Sequence, residues 1–129
     1  MKKQAFQRVT RDSLIVVNCI VDEHEIALAV DTGASHTTID LTALMIAGYE
    51  LSASKRTEKI ETASGIIDAF VFEIKSLTAF GIKMQNIEVS AYDFFAFHLL
   101  TDFDGVLGLD FFYDKNFCID LKQNVITIE

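Results

Sequence analysis

Val30-Asp31-Thr32-Gly33-Ala34-Ser35 puts a carboxylate at the end of an apolar run, directly before glycine and small residues. The backbone there is open to close approach by a ligand, a setting in which a carboxylate can act chemically. Hydrolysis needs a base to activate water and an acid to polarise the carbonyl, so a single Asp is insufficient. Two ionised carboxylates about 3 Å apart repel by roughly 4–6 kcal/mol at an effective dielectric near 20. A pair of them therefore shares one proton, which belongs to the pair as a whole. The ionised member takes a proton from water while the neutral one hydrogen-bonds the scissile carbonyl.

Asp31 has to be delivered by strands. Residues 13–21 are apolar and β-branched, Asp22-Glu23-His24-Glu25 reads as a polar turn, and Ile26, Leu28 and Val30 alternate with Ala27 and Ala29. This is a hairpin that ends at Asp31. After the acidic loop, Ile39, Leu41, Leu44 and Met45 recur at helical spacing, with Gly48 as the stop. Residues 55–63 are polar and hairpin-forming, Ser64-Gly65 is a turn, and 66–74, Leu77–Phe80 and Met84–Ala91 read as three strands. Gly105-Val106-Leu107-Gly108 is a short apolar strand closing on glycine, followed by a helical turn at Leu109–Tyr113. Alternation resumes at Phe117, Ile119 and Leu121 and again at Val125, Ile126 and Ile128. The order strand–strand–helix thus occurs twice in a mostly β chain.

A chain of 129 residues with 50% hydrophobic residues and eleven Phe can bury one core and is too short for two ordinary domains. One domain spanning 1–129 is expected, and Met1 with a terminal strand fits a complete small protein. A net charge of −8 argues against nucleic acid, whose binding depends on basic clusters. No apolar run reaches the roughly 20 residues needed to span a bilayer. The basic start leads into no signal core, so the expected location is cytoplasmic. Cys19 and Cys118 sit in apolar runs and read as buried free thiols. Three scattered His and no CxxC give no zinc site, and neither a metal nor another cofactor is expected. Asp102-Phe103-Asp104-Gly105 lacks further ligands at calcium-loop spacing and reads as a solvated acidic loop.

Ala29-Val30-Asp31-Thr32-Gly33-Ala34-Ser35 resembles the catalytic signature of aspartic peptidases, two apolar residues before Asp-Thr-Gly-Ala/Ser. Gly105-Val106-Leu107-Gly108 resembles the family's second signature. Their spacing is similar to that of the single-domain retropepsin-like branch over nearly the whole chain. The resemblance implies a closed β-barrel with short helices and one lobe per chain, in which the second signature strand threads beneath the active-site loop. Since the chain carries one Asp-Thr-Gly, the second catalytic Asp31 must come from another copy about a two-fold axis. The resemblance also implies roles for neighbours. Thr32 locks the two loops across the dimer, with Gly33 and Ala34 supporting the loop. The Gly33 carbonyl and Ser35 contact substrate, and Thr38 and Val106 wall the pocket. Residues 57–70, with Ser64, Gly65 and Ile66 at the tip, form a flap over an extended peptide.

Retroviral members carry Asp where Ser35 stands and Arg where Leu109 stands, as an ion pair at the dimer base. Without that pair the chain resembles cellular and bacterial relatives. It also lacks the short terminal strands of a retroviral interdigitated interface.

Other residues have plainer readings. His36 is an exposed polar side chain at a helix start, near enough to Asp31 to touch substrate. His24 is a turn residue, and His98 lies at a strand or loop edge. Asp110 caps the short helix or bonds the active-site loop. Phe94, Phe95, Phe97, Phe103, Phe111 and Phe112 are core residues. The expected function is homodimeric aspartic endopeptidase action on a polypeptide, with a preference for hydrophobic side chains beside the cut from Val106 and Ile66. The alternative is a catalytically silent peptide-binding or dimerisation module with the same fold.

Overall fold

The computed structural model describes residues 1–8, 12–62, 65–94 and 103–129. Its strands are β1 (Lys2–Ala5), β2 (Val16–Val21), β3 (His24–Val30), β4 (Thr38–Asp40), β5 (Arg56–Thr62), β6 (Gly65–Ala79), β7 (Ile82–Tyr92), β8 (Gly105–Leu107), β9 (Phe117–Asp120) and β10 (Val125–Ile128). One helix, α1 (Leu41–Ile46), and 3₁₀ turns at Leu51–Ala53 and Leu109–Phe112 complete the elements. Six strands run β2-β3-β8-β4-β7-β6, and β6 returns to β2 through Ile20↔Thr78 and Val21↔Leu77, which closes the barrel. The fold is thus mostly β and retropepsin-like. β1, β10 and β9 form a separate three-stranded sheet.

Period-2 alternation builds this barrel. On β2, Val17, Cys19 and Val21 are buried while Asn18 and Ile20 face outward. The interior is filled by Leu28, Ile39, Phe72, Ile74, Leu77, Val89, Leu107 and Phe111, each at most 1% exposed. Each such side chain contributes roughly 1.5–3 kcal/mol on burial. A second apolar cluster, Ile67, Ala69, Tyr92 and Phe94 with Ile60 against it, includes the Ile60↔Ile67 pair of the β5–β6 hairpin.

Several expectations need correction. Ile39 belongs to β4, where it pairs with Ala91 and Gly105, because tertiary pairing overrides its helical spacing. Asp40 caps α1 by accepting from Ala43 N, so the helix starts at Leu41. Leu44 is buried but Met45 is 50% exposed. Gly48, at φ +107, ends the helix. Residues 66–74 and 77–79 are one continuous strand, which turns at Phe80-Gly81, both at positive φ. β2 begins only at Val16, and Leu14 is exposed. His24 opens β3, leaving Asp22-Glu23 as the turn. Cys19 is buried, whereas Cys118 lies on β9 and is exposed. Terminal strands do exist: β1 pairs with β10 within one chain, from Lys2↔Ile128 to Ala5↔Val125. Phe111, Phe112 and Phe94 are buried and Phe103 is half-buried. Phe95, Phe97, His98 and Asp102 lie outside the described residues.

Candidate active site

β8 lies between β3 and β4, parallel to β3 (Ala29↔Val106) and antiparallel to β4 (Thr38↔Val106). β3 and β4 are consecutive in sequence, yet a strand from some 75 residues later in the chain separates them. The loop joining them, residues 31–37, must therefore pass over the end of β8. Gly105 and Gly108 make this threading possible by close approach. A Cβ at Gly105 would sit 2.1 Å from the Thr38 carbonyl oxygen. One at Gly108 would sit 2.6 and 2.7 Å from the His36 carbonyl carbon and oxygen. No side chain fits at either position.

The loop is pinned from both sides. Asp31 N donates to Leu107 O (3.0 Å), and Leu109 N donates to Ala34 O (2.8 Å). Thr37 is fully buried. Its backbone N donates to Asp110 Oδ2 (2.9 Å), its hydroxyl donates to Asp110 Oδ1 (2.8 Å), and it accepts from Gly108 N (3.1 Å). Asp110 thus bonds the active-site loop, the second of its two expected roles. Asp104 plays a similar part below. Its carboxylate accepts from Ala27 N (2.9 Å) and its carbonyl from Asp40 N. It pins β3 and β4 and is not the solvated loop residue expected from the acidic run.

Asp31 itself is half-buried, and its Oδ1 accepts from Gly33 N at 2.9 Å. A Cβ on Gly33 would lie 3.1 Å from that oxygen, so glycine lets the carboxylate fold beneath the turn. Ala34 N donates to Asp31 O (3.1 Å), which closes the turn. Thr32, Gly33 and Ser35 are exposed and Ala34 half-buried. Ser35 Oγ lies 3.0 Å from His36 Nδ1.

Strand pairing gives Thr38 and Val106, both half-buried, a shared face with Ala29. Ser90, Val71 and Arg56 continue the same row through β7, β6 and β5. The β5–β6 hairpin rises from this face, with Gly65 at φ +118 and Ile66 71% exposed near its tip. Ser64 lies outside the described residues. At the hairpin root, Arg56 and Lys55 bind Glu88 across β6, with Arg56 Nη2 to Glu88 Oε1 at 2.7 Å and Lys55 Nζ to Oε2 at 2.9 Å. These hydrogen bonds, Arg56's first, hold the Glu88 carboxyl down to about 2 from 4.5. Burial alone pushes the Cys19 thiol up to about 12, so it is inert as a nucleophile.

Thr37, Asp104 and the full part of Asp110 were missed in the sequence. Each acts by bonding backbone more than 60 residues away, and no local spacing signals that. Among the described residues, no cluster of three or more His, Cys, Asp or Glu could hold a metal ion. Nor is any helix long and apolar enough to cross a membrane.

A retropepsin-like aspartic protease from Rickettsia conorii is similar in fold, with a TM-score of 0.73 at 24% identity over 98% of this chain and 89% of that one. Comparison with curated proteins returned no match. A family model described as aspartyl protease matches residues 17–111, from β2 through the 3₁₀ turn after β8. With most of its length matched, both signature segments included, the chain belongs to the aspartyl protease family and has the retropepsin-like fold.

Proposed function

We propose that the protein is an aspartic endopeptidase active as a homodimer, with Asp31 of each copy forming the catalytic pair. The observation that carries this reading is the half-buried Asp31 carboxylate, held by Gly33 N on a loop clamped to β8, in a chain with one Asp-Thr-Gly. A rigid carboxylate at the mouth of a barrel supplies half of an acid–base pair, and a two-fold axis supplies the other half. The ionised Asp31 removes a proton from water and the resulting hydroxide oxygen bonds to the peptide carbonyl carbon. The protonated partner donates to the carbonyl oxygen. Collapse of the tetrahedral species breaks the C–N bond, and a proton from the pair goes to the leaving amine. The β5–β6 hairpin, within residues 57–70 and with Gly65 and Ile66 near its tip, closes over the substrate as a flap. Gly33 and Ser35 contact substrate main chain, and Thr38 and Val106 line the pocket.

The test is cleavage of an unstructured peptide pool from acidic to neutral pH, read by mass spectrometry, with Asp31→Asn alongside. Cuts made only by the wild type are expected. Identical pools at every pH would exclude general peptidase action and leave a peptide-binding module.

A further inference from the structure

The β2–β3 turn and the middle of the β6–β7 ladder enclose a cleft of about 440 Å³, a volume typical of small-molecule sites. It lies far from Asp31. His24 lines the cleft and opens β3, whereas Asp31 follows the end of that strand, about 23 Å away at the strand rise. A slip in alternation shapes it. Ile74 and Leu77 are both fully buried although three residues apart, so β6 does not keep strict period 2 between them. Pairing with β7 runs Ile74↔Ile87 and Ser76↔Gln85 with no pair at Lys75, and Asn86 opposite takes φ +55. Lys75 N turns instead to Tyr49 Oη, and Lys75 and Ser76 both line the cleft, together with Lys83 and Gln85 of β7.

The charge here leans toward cation. Asp22 is spent inward, Oδ2 accepting from Tyr49 Oη and Oδ1 from Ser76 N. Glu23 is exposed on the turn. Against them stand Lys75 and Lys83, exposed on neighbouring strands, with His24 beside them. Among the described residues neither lysine ammonium has a carboxylate partner, whereas Lys55, Arg56 and Lys59 are matched with Glu88, Glu58 and Asp68. In a chain of net charge −8, two unmatched ammonium groups in one cleft favour an anion there. A phosphomonoester, carrying about −1.5 to −2 at pH 7, matches both, whereas a carboxylate matches one. Every lining side chain among the described residues is polar, so nothing there stacks a base or buries an acyl chain. Gln85 and Glu23 supply a donor and acceptors for hydroxyl groups.

We propose that this cleft binds a small hydrophilic phosphomonoester of the sugar phosphate class. Lys75 and Lys83 hold the phosphate, with His24 beside it, and Gln85 and Glu23 bond the hydroxyl-bearing part. Asp31 takes no part, so the inference stands whether or not the chain cleaves peptides.

The test is titration of the isotopically labelled protein with a glucose monophosphate, glucose, inorganic phosphate and adenosine monophosphate, following amide shifts by NMR at fixed ionic strength. The sugar phosphate should give saturable shifts centred on residues 22–24, 75–76 and 83–85. Inorganic phosphate should bind there more weakly, and glucose should leave the spectrum unchanged. Lys75→Met and Lys83→Met should each raise Kd roughly tenfold, as loss of a charged hydrogen bond does. The arginine replacements keep the charge and should keep binding. Unchanged shifts at the distant residues 31–37 in every variant show that the fold is intact. No saturable shifts at the cleft with millimolar sugar phosphate would overturn the proposal. So would an affinity unchanged in Lys75→Met/Lys83→Met, or binding of inorganic phosphate or adenosine monophosphate at least as tight as that of the sugar phosphate.

Discussion

The cost of losing Asp110 falls on Thr37. In Asp110→Ala, a fully buried hydroxyl and a backbone N–H both lose their acceptor. Stranded donors of this kind cost roughly 2–4 kcal/mol together, so we expect a clear drop in Tm and in denaturation midpoint. Asp110→Asn keeps one good acceptor and should cost about half as much. Gly108→Ala is a sharper test of the loop. Its Cβ meets backbone, which cannot rotate aside, so the 34–36 segment must move. Overpacking of this type costs roughly 1–3 kcal/mol. Peptidase activity should fall well beyond what the lost stability explains, as seen by comparing kcat/KM with the fraction folded. An activity loss that merely tracks unfolding would show that the clamp does not position Asp31.

At the scale of elements, β6 joins the barrel to the proposed flap. Its first part pairs with β5 and its end with β2, and the gap between is filled by side chains. Tyr49 Oη accepts from Lys75 N (2.8 Å) and donates to Asp22 Oδ2 (2.8 Å), while Asp22 Oδ1 accepts from Ser76 N (3.1 Å). Tyr49→Phe leaves the Lys75 N–H without this partner, and we expect a loss of about 1–2 kcal/mol in denaturant unfolding. The Glu88 contacts at the hairpin root are more exposed and respond to pH. Glu88 has a depressed carboxyl, held near 2, so its contribution is present above about 4.5 and is lost as pH falls from there toward 2. Amides of Arg56–Thr62 should exchange faster in Glu88→Gln than in the wild type at pH 6. The two should converge near pH 2. A difference that persists at pH 2 would mean that charge pairing at Glu88 is not what restrains the hairpin.

At the scale of the whole molecule, the proposal makes activity a property of two chains. With wild type held constant and Asp31→Asn added at tenfold excess, most wild-type chains enter mixed dimers that have one carboxylate missing. Activity should then fall roughly tenfold by random pairing of equivalent subunits. Unchanged activity would exclude a shared pair. The three-stranded sheet of β1, β10 and β9 lies wholly outside the family-matched residues 17–111.

Much of this protein was readable from local pattern. Alternation at 26–30, turn residues at 22–23 and Gly81, and the helix stop at Gly48 act within a few residues of themselves, whereas the alternation expected at 117–121 stops at Asp120, with Leu121 exposed in the turn. Asp-Thr-Gly and Gly105–Gly108 were readable too, since close approach of a backbone leaves glycine little substitute. Tertiary structure alone decided the rest. Ile39 joins a strand because Gly105 and Ala91 lie beside it, and β6 runs unbroken because β5, β2 and two side chains share its edge. Cys118 faces solvent because its β9 neighbours Phe117 and Ile119 are the ones that pack against the core. Thr37, Asp104 and Asp110 act through bonds to backbone more than 60 residues away. Spacing along a chain determines what a segment can become, and the partners that settle between alternatives arrive only when distant segments meet.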